Sequence, residues 1–407
     1  MDVEVRPYQP SDLPAVTRMW REIRWIDESE RMAEALAVFL DGADALVGLL
    51  DGEAEALVHR TPGVIRYDDR DLPLAAVTAV TTSVIGRNLG LATRITGASL
   101  AEAALDGAAV AALGMFEQGF YDRLGFGSYP YSIQLDVDPA DLQVPVPSAT
   151  PVRLGREDWP DVADLLARRR RSHGEVRLDR PQVVQAELSW FEDPFLAFGF
   201  RDGDGRLRAC LAGTCAGESG PYRVGLLAYV DDGDLLDLFG LLRSLSAQIA
   251  RVLLVEPARV QVQDLLARPI RGHDLLEPER RSPHAAMAWY QLRILDLEAC
   301  VAARSWPGEE VAFDLVLRDP LSERGLPWPG LSGEWSVRVG EASTAERGHR
   351  GGLPILEASV NAFSRLWFGA RPASGLAVTT DLSGPPELLA ALDRALLLPP
   401  PLPGLAF

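Results

Sequence analysis

Three consecutive stretches decide the fold: LPLAAVTAVTTSVIGRNLGLATRITGASL (72–100), the apolar run AAVAALGMF (108–116) and EQGFYDRLGFG (117–127). They spell strand, tight turn, long helix, strand, short helix, strand. Val and Thr dominate Ala75–Val84, which favours an extended chain. The strand runs into Ile85-Gly86-Arg87-Asn88-Leu89-Gly90-Leu91-Ala92, where glycines and a small residue permit close backbone approach before a helix starts. Free amides at a helix start suit an anionic phosphate. Two readings stand for this turn: a seat for a pyrophosphate, or a plain left-handed turn and cap.

Outward from that stretch, the chain preceding it supplies a short strand (Val3–Arg6), two helices (Leu13–Arg24 and Ser29–Leu40) and two strands (Ala45–Leu50 and Ala54–Arg60) around an Asp51-Gly52 hairpin. Tyr129–Val137 closes this first domain. Pro139–Pro151 is Pro-rich without periodicity and is expected to be a linker. Beyond it the opening repeats: Val5-Arg6 and Asp12-Leu13-Pro14-Ala15-Val16 are echoed by Val152-Arg153 and Asp158-Trp159-Pro160-Asp161-Val162, the mark of a duplicated unit. In the second copy the turn carries Asp231, Asp232 and Asp234, whose charges repel a pyrophosphate. Arg168-Arg169-Arg170-Arg171 is expected to be a solvated helix end. From Gln291 the pattern changes again, to strands at Leu292–Leu297, Glu310–Arg318 and Glu334–Val339, and helices at Leu356–Leu366 and Pro386–Leu398. The tail PPPLPGLAF (399–407) is too Pro-rich for a helix and too apolar for a frayed end, so docking is expected.

Composition excludes several classes. A chain of 407 residues needs two or three cores. A net charge of −18 disfavours nucleic acid and favours cationic partners. Every basic residue is Arg; the missing Lys rules out Schiff-base and P-loop lysine chemistry. Cys210, Cys215 and Cys300 make neither a metal spacing nor a disulfide framework, and the five histidines carry no metal or triad pattern. No metal is expected. No apolar run reaches the length of a membrane span and no secretory signal is visible, so a reducing cytoplasm is the expected home.

The pattern Arg87-x-x-Gly90-x-Ala92 between strand and helix resembles the acyl-CoA loop of the GNAT superfamily of N-acetyltransferases. Gly119-Phe120-Tyr121-Asp122-Arg123-Leu124-Gly125-Phe126-Gly127 resembles the Y-x-R-x-G-[FY] segment that follows the fifth GNAT strand. Two such units and a smaller one with an apolar tail resemble the Eis (enhanced intracellular survival) acetyltransferases over nearly the whole chain. The resemblance implies an α/β (α+β) fold: a catalytic GNAT domain (1–138), a second, cofactor-less GNAT-like domain (150–288) and a sterol-carrier-protein-like domain (291–407). It implies acetyl-CoA as the acyl-donor co-substrate, held by Val80, Thr81 and Thr82, by the loop Arg87, Asn88, Leu89, Gly90, Leu91, Ala92 and Thr93, and along an edge at Phe116 and Glu117. It implies Tyr121 as general acid and the carboxylate of Phe407 as general base. Its acceptor is a small cationic amine, an aminoglycoside acetylated at several positions, and its assembly a homohexamer made of two trimers. The sequence departs from the family at Asn88 and Leu89, where further arginines are usual, and at Ala406, where some members have an acidic residue. An alternative acceptor is a protein lysine or N-terminus, and an alternative class is a non-catalytic CoA- or lipid-binding protein. Asp27, Glu28 and Glu30 are candidates either for the acceptor pocket or for a solvated helix end.

The assigned roles fit elementary chemistry. Amine attack on a thioester needs a deprotonated amine, a donor for the developing oxyanion and a proton for the thiolate. A phenol stays protonated at neutral pH and can donate; burial of a terminal carboxylate among Leu402, Leu405 and Phe407 would raise its basicity.

Overall fold

The computed structural model describes residues 3–267 and 284–404. In chain order these form β1 (Val3–Pro7), α1 (Leu13–Glu22), α2 (Glu30–Leu40), β2 (Asp44–Leu50), β3 (Glu53–Tyr67), β4 (Arg70–Thr82), α3 (Leu91–Leu105), β5 (Val110–Gly114), α4 (Gln118–Asp122) and β6 (Gly127–Ser128). Next come β7 (Ser132–Val137), β8 (Val152–Leu154), α5 (Trp159–Arg168), β9 (Val176–Leu178), α6 (Pro181–Trp190), β10 (Phe195–Arg201), β11 (Leu207–Cys215), β12 (Tyr222–Tyr229), α7 (Asp232–Ser244), β13 (Val252–Val255) and β14 (Ala285–Met287). The remainder is β15 (Tyr290–Ile294), α8 (Leu297–Ala302), β16 (Val311–Arg318), β17 (Gly333–Val339), β18 (Thr344–Arg347), β19 (Ile355–Ser359), α9 (Val360–Trp367), α10 (Ala373–Thr379) and α11 (Pro386–Ala395). Two compact units result, one from the described residues of 1–130, 172–180 and 288–407, the other from those of 131–171 and 181–287.

In the first unit, β1 to β4 form an antiparallel run, and the α3 crossover makes β5 parallel to β4. Its eight-stranded sheet has the order β1-β2-β3-β4-β5-β15-β6, with β9 on β3. β3 outlasts β2, whose pairing stops at Arg60, and β9 takes the vacated edge at Gly63–Ile65. Covering an edge in this way removes unpaired amides. Gly63 is required there, because a Cβ would run into the Arg177 carbonyl. The four-stranded sheet β18-β17-β16-β19 carries α9 and α11, and its Phe313, Trp335, Leu356, Phe363 and Trp367 share one apolar core with the larger sheet.

The second unit repeats the element order of the first: β8, α5, α6, β10, β11, β12, α7 and β13 match β1, α1, α2, β2, β3, β4, α3 and β5, as the duplication in the sequence implies. Its seven-stranded sheet runs β14-β7-β13-β12-β11-β10-β8.

Several local expectations are corrected. Of the segment expected to close the first domain, Tyr129–Val137, the part forming β7 instead pairs with β13 and β14 in the second sheet. β15, expected to open the third domain, is antiparallel to β5 and β6 in the first sheet. The helix expected from Leu356 begins at Val360, because Ile355–Ser359 pairs with β16 and Ser359 then caps α9. The expected linker buries Leu142 and Val144 in the second core. The arginine run is not a solvated face: Arg169 is buried, Arg168 binds Asp164 at 2.8 Å and Arg170 binds Asp232 at 2.5 Å. The tail is docked as far as it is described, with the Leu402 amide donating to the His173 carbonyl at 3.2 Å and the Val176 amide to the Pro403 carbonyl at 3.1 Å.

Candidate active site

The site begins where two parallel strands part. β4 and β5 pair only from Leu74/Val110 to Val77/Leu113. β4 continues to Thr82 along β3, whereas the chain after β5 turns to the other neighbour, Met115 donating to the Trp289 carbonyl at 2.8 Å. A bulge sharpens the parting: Thr78 faces His59 and Thr81 faces Leu57, so Val58 opposes both Ala79 and Val80. Ala79 takes φ +54°, a conformation costing about 1–2 kcal/mol outside glycine. The Thr81 hydroxyl holds it there by donating to the Ala79 carbonyl at 2.9 Å. Thr81 is therefore a buried clamp on the bulge, while Val80 sits within it.

The loop after Thr82 is pinned from two sides. The Ser83 amide donates to the Glu55 carbonyl at 2.9 Å, the Val84 amide to the Glu22 carboxylate at 3.1 Å, and the Gly86 amide to the Ser83 hydroxyl at 3.1 Å. A Cβ on Gly86 would press on the Glu55 carbonyl and Leu91. Asn88 and Gly90 both adopt left-handed φ, +63° and +75°. Gly90 is the N-cap of α3 and brings no side chain to it; no acidic residue occupies the first turn. The Arg94 amide takes the Gly90 carbonyl at 3.0 Å, which leaves the amides of Leu91, Ala92 and Thr93 without helical acceptors. Arg87 and Leu89 are exposed beside them. Val84, Ile85 and Phe116 are 59, 66 and 70 % exposed, a set of accessible apolar surfaces against which an organic molecule can lie.

Tyr121 enters from the other strand. Because β4 and β5 are parallel, their C-terminal ends share one edge of the sheet, so the loop into α3 and the segment into α4 leave from the same edge. Glu117 caps α4, its carboxylate accepting from the Gly119 amide at 3.0 Å. The Tyr121 ring is 2 % exposed, edge-on to Phe120 at 4.9 Å, Phe116 at 5.7 Å and Phe126 at 6.1 Å. Burial first, and the Glu117 charge second, push the phenol above its ordinary range, so it keeps its proton at neutral pH.

Other polar groups flank the same strands. His59, opposite Thr78, is wholly buried, packs at a tilt against Phe39 with ring centroids 4.1 Å apart and receives Arg180 Nη1 on Nε2 at 3.1 Å. Burial, reinforced by the Arg180 charge, lowers its pKa to about 3, so the imidazole is neutral, and its Nδ1 has no protein partner. Asp27 and Glu28 are used locally, on the Ser29 amide and on Arg21. Glu22, Glu55, His59 and Arg180 escaped sequence reasoning, since each gains its role from residues distant in the chain. Phe407 lies outside the described residues.

The second unit builds the corresponding place differently. β12 and β13 part as well, here after only two pairs, and Gly225 forms the bulge. Yet a Cβ on Gly225 would meet the Phe191 ring at 2.7 Å. Asp231 caps α7 by accepting from the Asp234 amide at 2.9 Å, so carboxylates occupy the helix start.

These features coincide with likeness to known proteins. Residues 4–129 match the acetyltransferase (GNAT) domain family and residues 297–404 the sterol carrier protein domain family. An uncharacterized N-acetyltransferase of Streptomyces avermitilis is 24 % identical over 97 % of this chain and 96 % of its own. Two solved structures share the fold over the full length of both chains: a probable N-acyltransferase of Enterococcus faecalis (TM-score 0.82, 17 % identity) and Eis1 of Mycobacterium abscessus (TM-score 0.77, 18 % identity). The class is thus a GNAT-type N-acetyltransferase with a sterol carrier protein domain. Within that class the chain is Eis-like in fold, with tandem GNAT-like units followed by the sterol carrier protein domain.

Proposed function

We propose that this protein transfers acetyl from acetyl-CoA to a primary amine of a small cationic acceptor. One observation carries the reading: a fifteen-residue helix, α3, with no side chain on its first amides, opens beside the parting of β4 and β5. The amides of Leu91, Ala92 and Thr93, with Arg87 nearby, supply donors and positive potential for a pyrophosphate. Gly86 lets the loop pack against the Glu55 carbonyl, Gly90 leaves the helix start open, and Asn88 and Leu89 form its rim without adding charge. The bulged backbone at Val80, followed by Thr82, offers strand-like hydrogen bonds to the amide groups of the acyl-bearing arm. Phe116 supplies an apolar edge, and Glu117 sets α4 in place.

In the transfer, the amine nitrogen bonds to the thioester carbonyl carbon, the carbon–sulfur bond breaks and the thiolate takes the Tyr121 proton. The general base is assigned to the carboxylate of Phe407, which takes the proton of the amine. The acceptor proposed is an aminoglycoside-like polyamine, drawn by the protein's net charge of −18. The reading includes a homohexamer of two trimers in the cytoplasm, the division 1–138, 150–288 and 291–407, and a second unit without a cofactor. The capping aspartates of α7 and the Phe191 ring against Gly225 support that last point.

The test is thiol release from acetyl-CoA with aminoglycosides, polyamines and basic peptides. Turnover with the first two supports the reading. Turnover with peptides alone moves the acceptor to a protein amine. Binding of CoA without turnover on any amine would leave a binding protein.

A further inference from the structure

The helix that bears Tyr121 does not hold itself. α4 has five residues, too few to persist alone, and the carbonyls after it need partners. Those partners come from far along the chain. Asn361, on α9, donates from Nδ2 to the Asp122 carbonyl and to the Phe126 carbonyl, both at 2.8 Å. Arg293, on β15 and wholly buried, donates from Nη1 to the Leu124 carbonyl and from Nη2 to Asp319 at 2.7 Å. Asp319 is fixed in turn by the amides of Leu321 at 2.9 Å and Leu331 at 3.0 Å. Gln291 adds a bond from Nε2 to the Asp122 carboxylate at 2.7 Å.

The glycines of the Leu124-Gly125-Phe126-Gly127 segment are explained by the same approach. A Cβ on Gly125 would meet Arg293 Nη1 and Val360 Cγ1, each at 2.7 Å, and one on Gly127 would strike the Asn361 carbonyl. Among the described residues, only β15 and the region matching the sterol carrier protein domain supply these side-chain bonds.

We propose that the sterol carrier protein domain positions the general acid, with Asn361 and the Asp319–Arg293 pair fixing the chain behind Tyr121. The proposal rests on Tyr121 being the acid. Asn361 and Arg293 are positioning residues, acting through Tyr121 rather than on the substrate. A displacement of about 1 Å at a reacting group costs on the order of a hundredfold in rate. Half-buried Asn361 is the tractable member, because Arg293 and Asp319 are a fully buried pair, and removing either leaves an uncompensated buried charge that strongly destabilises the fold.

The experiment is a double-mutant cycle with Tyr121→Phe and Asn361→Ala, using the amine giving the fastest thiol release with the wild type. Asn361→Ala is expected to lower kcat about tenfold to a hundredfold, with the KM for acetyl-CoA within about twofold. Combined with Tyr121→Phe it should cost nothing beyond Tyr121→Phe alone. Asn361→Leu, close in shape and uncharged but lacking the donor, should behave alike and serves if the alanine variant folds poorly. Wild-type kcat in the Asn361 variants, an additive double mutant or a shift confined to KM would overturn the positioning role. Wild-type turnover in Tyr121→Phe is a different failure, which removes the acid and the proposal built on it.

Discussion

Thr93→Asp separates the stability of α3 from its binding role. Thr93 is the third residue of the helix, whose first turn has no acidic group and whose N-cap, Gly90, has no side chain. A carboxylate there meets the positive end of the helix and should stabilise the protein by about 0.3–1 kcal/mol. The same charge repels a bound pyrophosphate. For a doubly charged group at roughly 6 Å and an effective dielectric constant of about 40–80, the penalty is about 1.4–2.8 kcal/mol, which is ten- to a hundredfold in affinity. Stability and affinity should therefore move in opposite directions. Thermal unfolding should show Tm unchanged or raised, and calorimetric titration with CoA should show the weakened binding, recovering in part at high salt. Unchanged affinity in a normally folded variant would refute the placement of the phosphates at α3. Equal weakening by an Asp on α7 would do so too.

The remaining expectations use other parts of the site. Tyr121→Phe should lose about a hundredfold or more in kcat while binding CoA within about twofold, since the ring keeps its aromatic neighbours and only the proton donor is gone; steady-state rates and titration check both. One Gly appended after Phe407 should abolish most thiol release if that carboxylate is the base, and full activity in the extended chain would remove it. His59 has its folded pKa depressed by burial to about 3, so it contributes stability above its unfolded pKa, near 6.5, that is lost as pH falls toward 3. His59→Gln should flatten the dependence of unfolding free energy on pH by about 1.4 kcal/mol per pH unit across that window, measured by urea titration at several pH values. A slope equal to that of the wild type would mean that His59 is not buried neutral.

The parts of the candidate site that are legible in the sequence are those whose physics is local. Gly86 and Gly90 mark a tight approach and a left-handed turn whatever surrounds them, and the Val/Thr run before them can only be extended. The motif marks Tyr121 but not its setting, in which Phe116, Phe120 and Phe126 pack around its ring and Glu117 caps the short helix that bears it. What escaped depends on distant segments. β9 has three residues and exists because β3 outlasts β2. β7 and β15 carry no sign of which sheet they join, since a strand's pattern specifies its faces and not its neighbours. Leu356 has the spacing of a helix, yet parallel pairing with β16 delays the helix until Ser359 can cap it. The Arg168–Arg171 run looks solvated until Asp164 and Asp232 are folded against it. Asn361 and Arg293 have no local signature, although Gly125 and Gly127, which make room for them, were in plain view.

Amide hydrogen exchange with and without CoA tests the central claim most directly. Protection is expected at Val80–Thr82 and at Leu91–Thr93, with none at Asp232–Asp234 of the second unit. Protection at α7, or CoA bound tightly with the amides of α3 exchanging as in the free protein, would contradict it.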